Sequence, residues 1–88
     1  MKDEHVVEQL KEAAEQIGWE VRFEKGNFRG GRCEVEGETV IILNKRHSAD
    51  VQLQILAECF EEVSLENLYL PPAVRSALED AWARTNAG

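Results

Sequence analysis

The sequence predicts a single α+β domain over residues 1–88, with the order α-β-β-β-α-α. Three observations carry that expectation. Apolar residues recur at helical spacing from Val6 to Ile17, again after Ser48, and again after Pro72. Residues 19–24 and 32–36 alternate between apolar and charged, as half-buried strands do. Between them and the second helix runs Thr39-Val40-Ile41-Ile42-Leu43-Asn44, a strand that ends in the basic tripeptide Lys45-Arg46-His47.

Taken in order, Val6, Val7, Leu10, Ala13, Ala14 and Ile17 form one stripe of the first helix, and Gly18 follows as its C-terminal cap. The first strand turns Trp19, Val21 and Phe23 inward. Residues 25–31 hold three glycines and an asparagine and read as a loop. The second strand turns Cys33 and Val35 inward, and Gly37 makes a tight hairpin to the third. Those three strands are expected to form an antiparallel meander with helices on at least one face. The third strand does not alternate, so both of its faces are expected to be covered, by a helix, a loop or another subunit. Ser48 caps the second helix, with Asp50 in its first turn. Its inward face is Ala49, Leu53, Leu56, Ala57, Cys59, Phe60 and Val63. The connector that follows carries Leu65, Leu68, Tyr69 and Leu70, four side chains expected to pack down. Pro72 opens the last helix, whose inward stripe is Val74, Ala77, Leu78, Ala81 and Trp82.

Composition narrows the function classes. Seventeen acidic against ten basic residues leave a net charge of -7, which argues against coating nucleic acid or binding an anionic membrane. No apolar run approaches the ~20 residues that a membrane span needs. Cys33 and Cys59, far apart and without a secretory leader, read as free buried thiols, so the expected compartment is the cytoplasm. No catalytic constellation is visible and no cofactor is called for. Residues 26–31 lack the P-loop pattern and lead into a strand.

The positive charge is concentrated at one end. In a meander, the loop after the first strand and the exit of the third share an end of the sheet. That brings together Lys25, Arg29, Gly30, Gly31 and Arg32 with Lys45, Arg46, His47 and Ser48, at the point where the second helix opens its free N–H groups. Basic side chains, glycine backbone and a helix N-terminus are the ingredients of an anion site for a phosphate, a nucleic-acid backbone or an acidic protein surface. Phe28 among these residues suits stacking on a base or plugging the core.

A family resemblance lies across the same region. Ile42-Leu43-Asn44, then Ser48, then Leu56-Ala57-Glu58-Cys59-Phe60-Glu61-Glu62 resembles the core of ImmA/IrrE-type metallopeptidase domains, in which a strand ending in Asn and a capped helix lead into Leu-Ala-His-Glu-Leu-Gly-His. The likeness spans residues 39–62. It implies a relative without the peptidase chemistry: Glu58 and Glu62 stand where that family has its zinc histidines, and Cys59 where it has the catalytic glutamate. No metal is expected; a hard cation at Glu58 and Glu62 is the most the pair offers.

Val51 and Ile55 fall on the acidic stripe of the second helix with Glu58 and Glu62, and apolar residues there mark a contact surface. The sequence therefore points first to a small non-enzymatic interaction domain that binds a protein partner, or a second copy of itself, through Val51, Ile55, Glu58 and Glu62 or through the outer face of the third strand. The alternatives are an anion or nucleic-acid module working through the basic end, and a metallopeptidase-like remnant.

Overall fold

The most apolar strand lies at the centre of the sheet, and the rest of the architecture follows from that placement. The structure, a computed structural model, describes residues 2–63, 66 and 68–87. Its elements are α1 (Asp3–Gln16), β1 (Glu20–Glu24), β2 (Gly31–Val35), β3 (Glu38–Asn44), α2 (Ala49–Phe60) and α3 (Pro72–Ala87). The sheet order is β1-β3-β2, with β1 parallel and β2 antiparallel to β3. The α+β class and the element order agree with the sequence pattern, but the antiparallel meander does not: the sheet is mixed. Val40, Ile41, Ile42 and Leu43 are apolar on both faces, and the central position gives their strand a hydrogen-bonded neighbour along each edge; the expected cover on both faces is found on the Ile41 and Leu43 side alone, among the described residues. The charged, alternating β1 and β2 take the edges.

The β1–β2 connection must consequently cross the end of β3. Strands on either side of a third lie about 10 Å apart, which the six residues 25–30 span with slack. Gly30 makes the crossing tight. It holds φ +89°, and a Cβ there would run into the Ile42 carbonyl. The β2–β3 hairpin closes on Glu36 and Gly37, both at positive φ (53° and 83°), as a two-residue turn matched to strand twist requires.

α1 and α2 pack on one face of the sheet, and α3 packs on α1 and α2 without touching a strand. Their core joins Val6, Leu10 and Ala14 of α1 with Leu53, Leu56 and Phe60 of α2, Val74, Leu78 and Ala81 of α3, and Val21, Ile41 and Leu43 of the sheet. Phe60 is fully buried, a burial worth about 1.5–3 kcal/mol, and its ring lies 5.3 Å from that of Trp19. Gly18 caps α1 at φ +87°, with the Trp19 amide donating to the Ala14 carbonyl (3.0 Å) and the Gly18 amide to Glu15 (3.1 Å). This is the glycine-dependent C-terminal motif that the sequence signals. The Trp82 indole N–H donates to the Ala57 carbonyl (2.6 Å) and locks α3 onto α2.

Several local expectations are corrected. Cys33 and Val35 do not face the helices. The register pairs them with Val40 and Glu38, on the opposite face of the sheet, and Val35 is 46% exposed. Arg32 and Glu34 take the helix side instead. Arg32 can do so because β2 is an edge strand, where its guanidinium lies over the Trp19 ring, 5.3 Å from the centroid. In the connector, Leu68 and Leu70 are buried as expected, while Tyr69 is 80% exposed; a phenol keeps its hydroxyl hydrated that way. Leu65 lies outside the described residues. No helix is long and apolar enough to cross a membrane among the described residues.

Candidate functional site

The keystone of the basic end is Asn44, the last residue of β3 and only 3% exposed. Its amide donates to the carbonyls of Gly26 (2.8 Å) and Phe28 (2.7 Å), which holds the crossing loop in place. Its side-chain oxygen accepts from the Arg46 amide (3.0 Å). Its main-chain carbonyl accepts from the Gln52 side chain (2.9 Å) and the His47 amide (3.1 Å). One buried residue thereby ties the loop after β1 and the turn after β3 through its side chain, and the first turn of α2 through its main-chain carbonyl.

Beside this junction lies an open cavity of about 1110 Å³. The crossing loop contributes Asn27, Phe28 and Arg29; the turn contributes Arg46 and His47; α2 contributes Asp50, Val51, Gln54 and Ile55. Asp3 at the start of α1 and Arg84 near the end of α3 complete the wall. Arg29 and Arg46, 17 positions apart in the chain, are thus brought to one hollow. This juxtaposition does not depend on the meander, which the mixed sheet replaces. Exchanging β2 and β3 in the sheet changes no strand's direction, so β1 and β3 still end at the same side.

The structure divides the residues expected at the anion site. Arg29, Arg46 and His47 line the cavity; Lys25, Gly30, Gly31, Arg32, Lys45 and Ser48 do not. Gly31 and Arg32 border a smaller cleft of about 210 Å³ with Arg29, Glu58, Cys59 and Glu62, and Arg32 is occupied with Trp19. The helix N-terminus is not open either. Ser48 sits at the cap position without a side-chain cap bond, and its hydroxyl donates to the Asp50 carboxylate. That hydrogen bond, with the Val51 and Asp50 amides and nearby Arg84, holds the Asp50 carboxyl below its usual range. Asp50 therefore already supplies the negative charge at the start of α2.

The partner stripe on α2 is also corrected. Val51 is 40% exposed, but Ile55 is 2% exposed and belongs to the core. It is part of the buried cluster that α2 shares with α1, α3 and the sheet. What remains of Ile55 forms cavity floor next to Val51. Glu58 does not stand free beside Glu62: it accepts from Arg29 at 2.6 Å. Burial, with Glu58 adjacent, pushes the Cys59 thiol up to about 11. Among the described residues, no group of three or more His, Cys, Asp or Glu is placed to hold a metal ion.

The charges of the cavity are therefore unequal in availability. Arg29 is engaged by Glu58 and Arg84 lies near Asp50, while Arg46 has no ion-pair partner among the described residues. His47 is half-buried, and its Nδ1 is enclosed without a hydrogen-bond partner among the described residues. Asp3, Arg84 and Asn44 carried no local signal of a site. Asp3 and Arg84 come from opposite ends of the chain, and Asn44 acts through the turns it ties. The chain matches no protein-family model, no curated protein and no solved structure.

Proposed function

We propose that this chain is a non-enzymatic recognition domain that takes an acidic, partly apolar segment of a partner protein into the end cavity. The observation that carries this reading is the meeting of two sequence features in one hollow. The basic residues Arg29, Arg46 and His47 and the apolar pair Val51 and Ile55 line the same walls. A carboxylate on the partner would pair with Arg46 and compete for Arg29. An apolar side chain next to it would rest on Phe28, Val51 and the edge of Ile55. Asn27 offers amide groups to the partner's backbone. The cavity is larger than the ~300–1,000 Å³ usual for small-molecule sites and is open, which suits a length of polypeptide.

A nucleic-acid backbone fits less well. Its unbroken run of phosphates meets Asp3 and Asp50 as well as the arginines, and it carries more charge against the chain's -7 than a short segment with a carboxylate or two and an apolar side chain does. Cys59 is a poor nucleophile, because its thiol at about 11 stays protonated near neutrality, and it does not line this cavity.

The test is an amide-shift titration at low salt with a ten-residue peptide rich in Glu and Leu, a Lys/Leu peptide and a single-stranded RNA. The Glu/Leu peptide is expected to move the amides of Asn27, Arg29, Arg46, His47 and Val51, and Arg46→Ala to weaken it several-fold. Silence at those amides sinks the reading, and tighter binding of the RNA there replaces it.

A further inference from the structure

The face of the sheet away from the helices is apolar along its middle and along β2, and no described element covers it. The register sets its composition: Glu20, Val40 and Cys33 form one row, Arg22, Ile42 and Gly31 the next, with Glu38 beside Val35 and Glu24 beside Asn44. Val40 is central, 2% exposed, and not part of the helix-side core; its neighbours on the face are Glu20, Cys33, Glu38 and Ile42. Gly31 leaves Ile42 without a flanking side chain on the β2 side. The result is an apolar strip along β2 and its border with β3, made of Val35, Cys33 and Ile42. It is bordered on the β1 side by Glu20, Arg22 and Glu24 and at its end by Glu38 and the hairpin's Glu36. Glu20 is paired with Arg22 at 2.7 Å, whereas Glu24, Glu36 and Glu38 have no ion-pair partner among the described residues.

Two arguments say what covers this face. The first is size. Three strands of five to seven residues make a surface roughly 15 Å wide and 20 Å long, well under the ~800 Å² per partner of a stable protein–protein interface. One α-helix, about 10 Å across, fills it. The second is charge. A second copy would lay one face rimmed by Glu24, Glu36 and Glu38 against another with the same rim, and like charges across an interface cost affinity. A segment with Lys or Arg beside its apolar stripe would find those same carboxylates as partners.

We infer that the open face of the sheet is a second docking surface, independent of the end cavity, for a basic amphipathic helix of another protein. The apolar stripe of that helix lies on Val35, Cys33 and Ile42, and its basic residues face Glu24, Glu36 and Glu38.

The experiment uses the whole chain and three helical probe peptides of equal length: Leu/Lys with one apolar stripe, the same peptide with Leu replaced by Ser, and the same with Lys replaced by Glu. The Leu/Lys peptide is expected to move the amides of Cys33, Val35, Val40 and Ile42 and to bind at least tenfold tighter than Ser/Lys. The Leu/Glu peptide is expected to leave those amides unmoved. Val35→Ser and Glu38→Lys, both at exposed positions, are each expected to weaken the Leu/Lys peptide at least fivefold with an unchanged circular dichroism spectrum. Equal binding of Ser/Lys and Leu/Lys overturns the inference, because the contact is then charge alone. So do shifts confined to the acidic side of α1, and so does a dimer in sedimentation whose interface contains these four amides.

Discussion

Asn44 concentrates in one side chain what would otherwise need several. Two donors serve loop carbonyls and one acceptor serves the next turn, all in a residue that water barely reaches. Asn44→Ala removes three hydrogen bonds and strands two carbonyls and an amide, for a cost of roughly 2–4 kcal/mol. Urea unfolding measures that cost, and faster amide exchange in residues 26–29 than in the helices identifies the loop as its origin. A variant as stable as the parent means the loop holds itself. Glu58 makes the opposite kind of contribution. It occupies Arg29, so it acts as an internal rival to any carboxylate entering the cavity. An exposed ion pair of this kind is worth up to about 1 kcal/mol. Glu58→Gln is therefore expected to tighten a Glu/Leu peptide about two- to five-fold with little change in stability. Unchanged affinity in calorimetry means that Arg29 is not part of the contact.

Among the elements, the β2–β3 hairpin stores a local cost. Glu36 holds φ 53°, a conformation that disfavours a residue with a long side chain by about 1 kcal/mol and that asparagine tolerates. Glu36→Asn is expected to raise the melting temperature by roughly 2–6 °C, read by thermal circular dichroism; a fall would show that the turn is not of this type. The helices of this chain were legible from spacing alone, since the stripe from Val6 to Ala14 and the Gly18 cap sit where the pattern puts them. The strands were legible in extent but not in partner. Alternation in residues 32–36 reports that the two faces of β2 differ. It does not report which face the helices cover, and for β2 the apolar face is the outer one. A period of two is symmetric in that respect, so only the pairing with β3 resolves it.

At the scale of the whole molecule, the buried thiol couples stability to pH. The Cys59 pKa rises from an ordinary 9.0 to about 11 because burial and Glu58 disfavour the thiolate. The stabilisation is thus fully present below about 9 and is lost as pH climbs from there through 11, since the unfolded chain gives up its proton first. A two-unit separation corresponds to a loss on the order of 1–3 kcal/mol over that window. Urea midpoints from pH 8 to 11 are expected to fall, with a shallower slope in Cys59→Ala; identical slopes exclude Cys59 as the cause.

Charge, helix positions, turn glycines and the apolar strand before Lys45-Arg46-His47 are written in the chain, because each depends on neighbours within a few residues and on local backbone chemistry. The order of strands, the outward turn of Cys33 and Val35, the enclosure of Ile55 and the closing of one cavity by Asp3 and Arg84 belong to the folded molecule. They arise from the competition among strands for the shielded centre of the sheet. That competition is settled by burial summed over the whole structure, and no window of the sequence contains it.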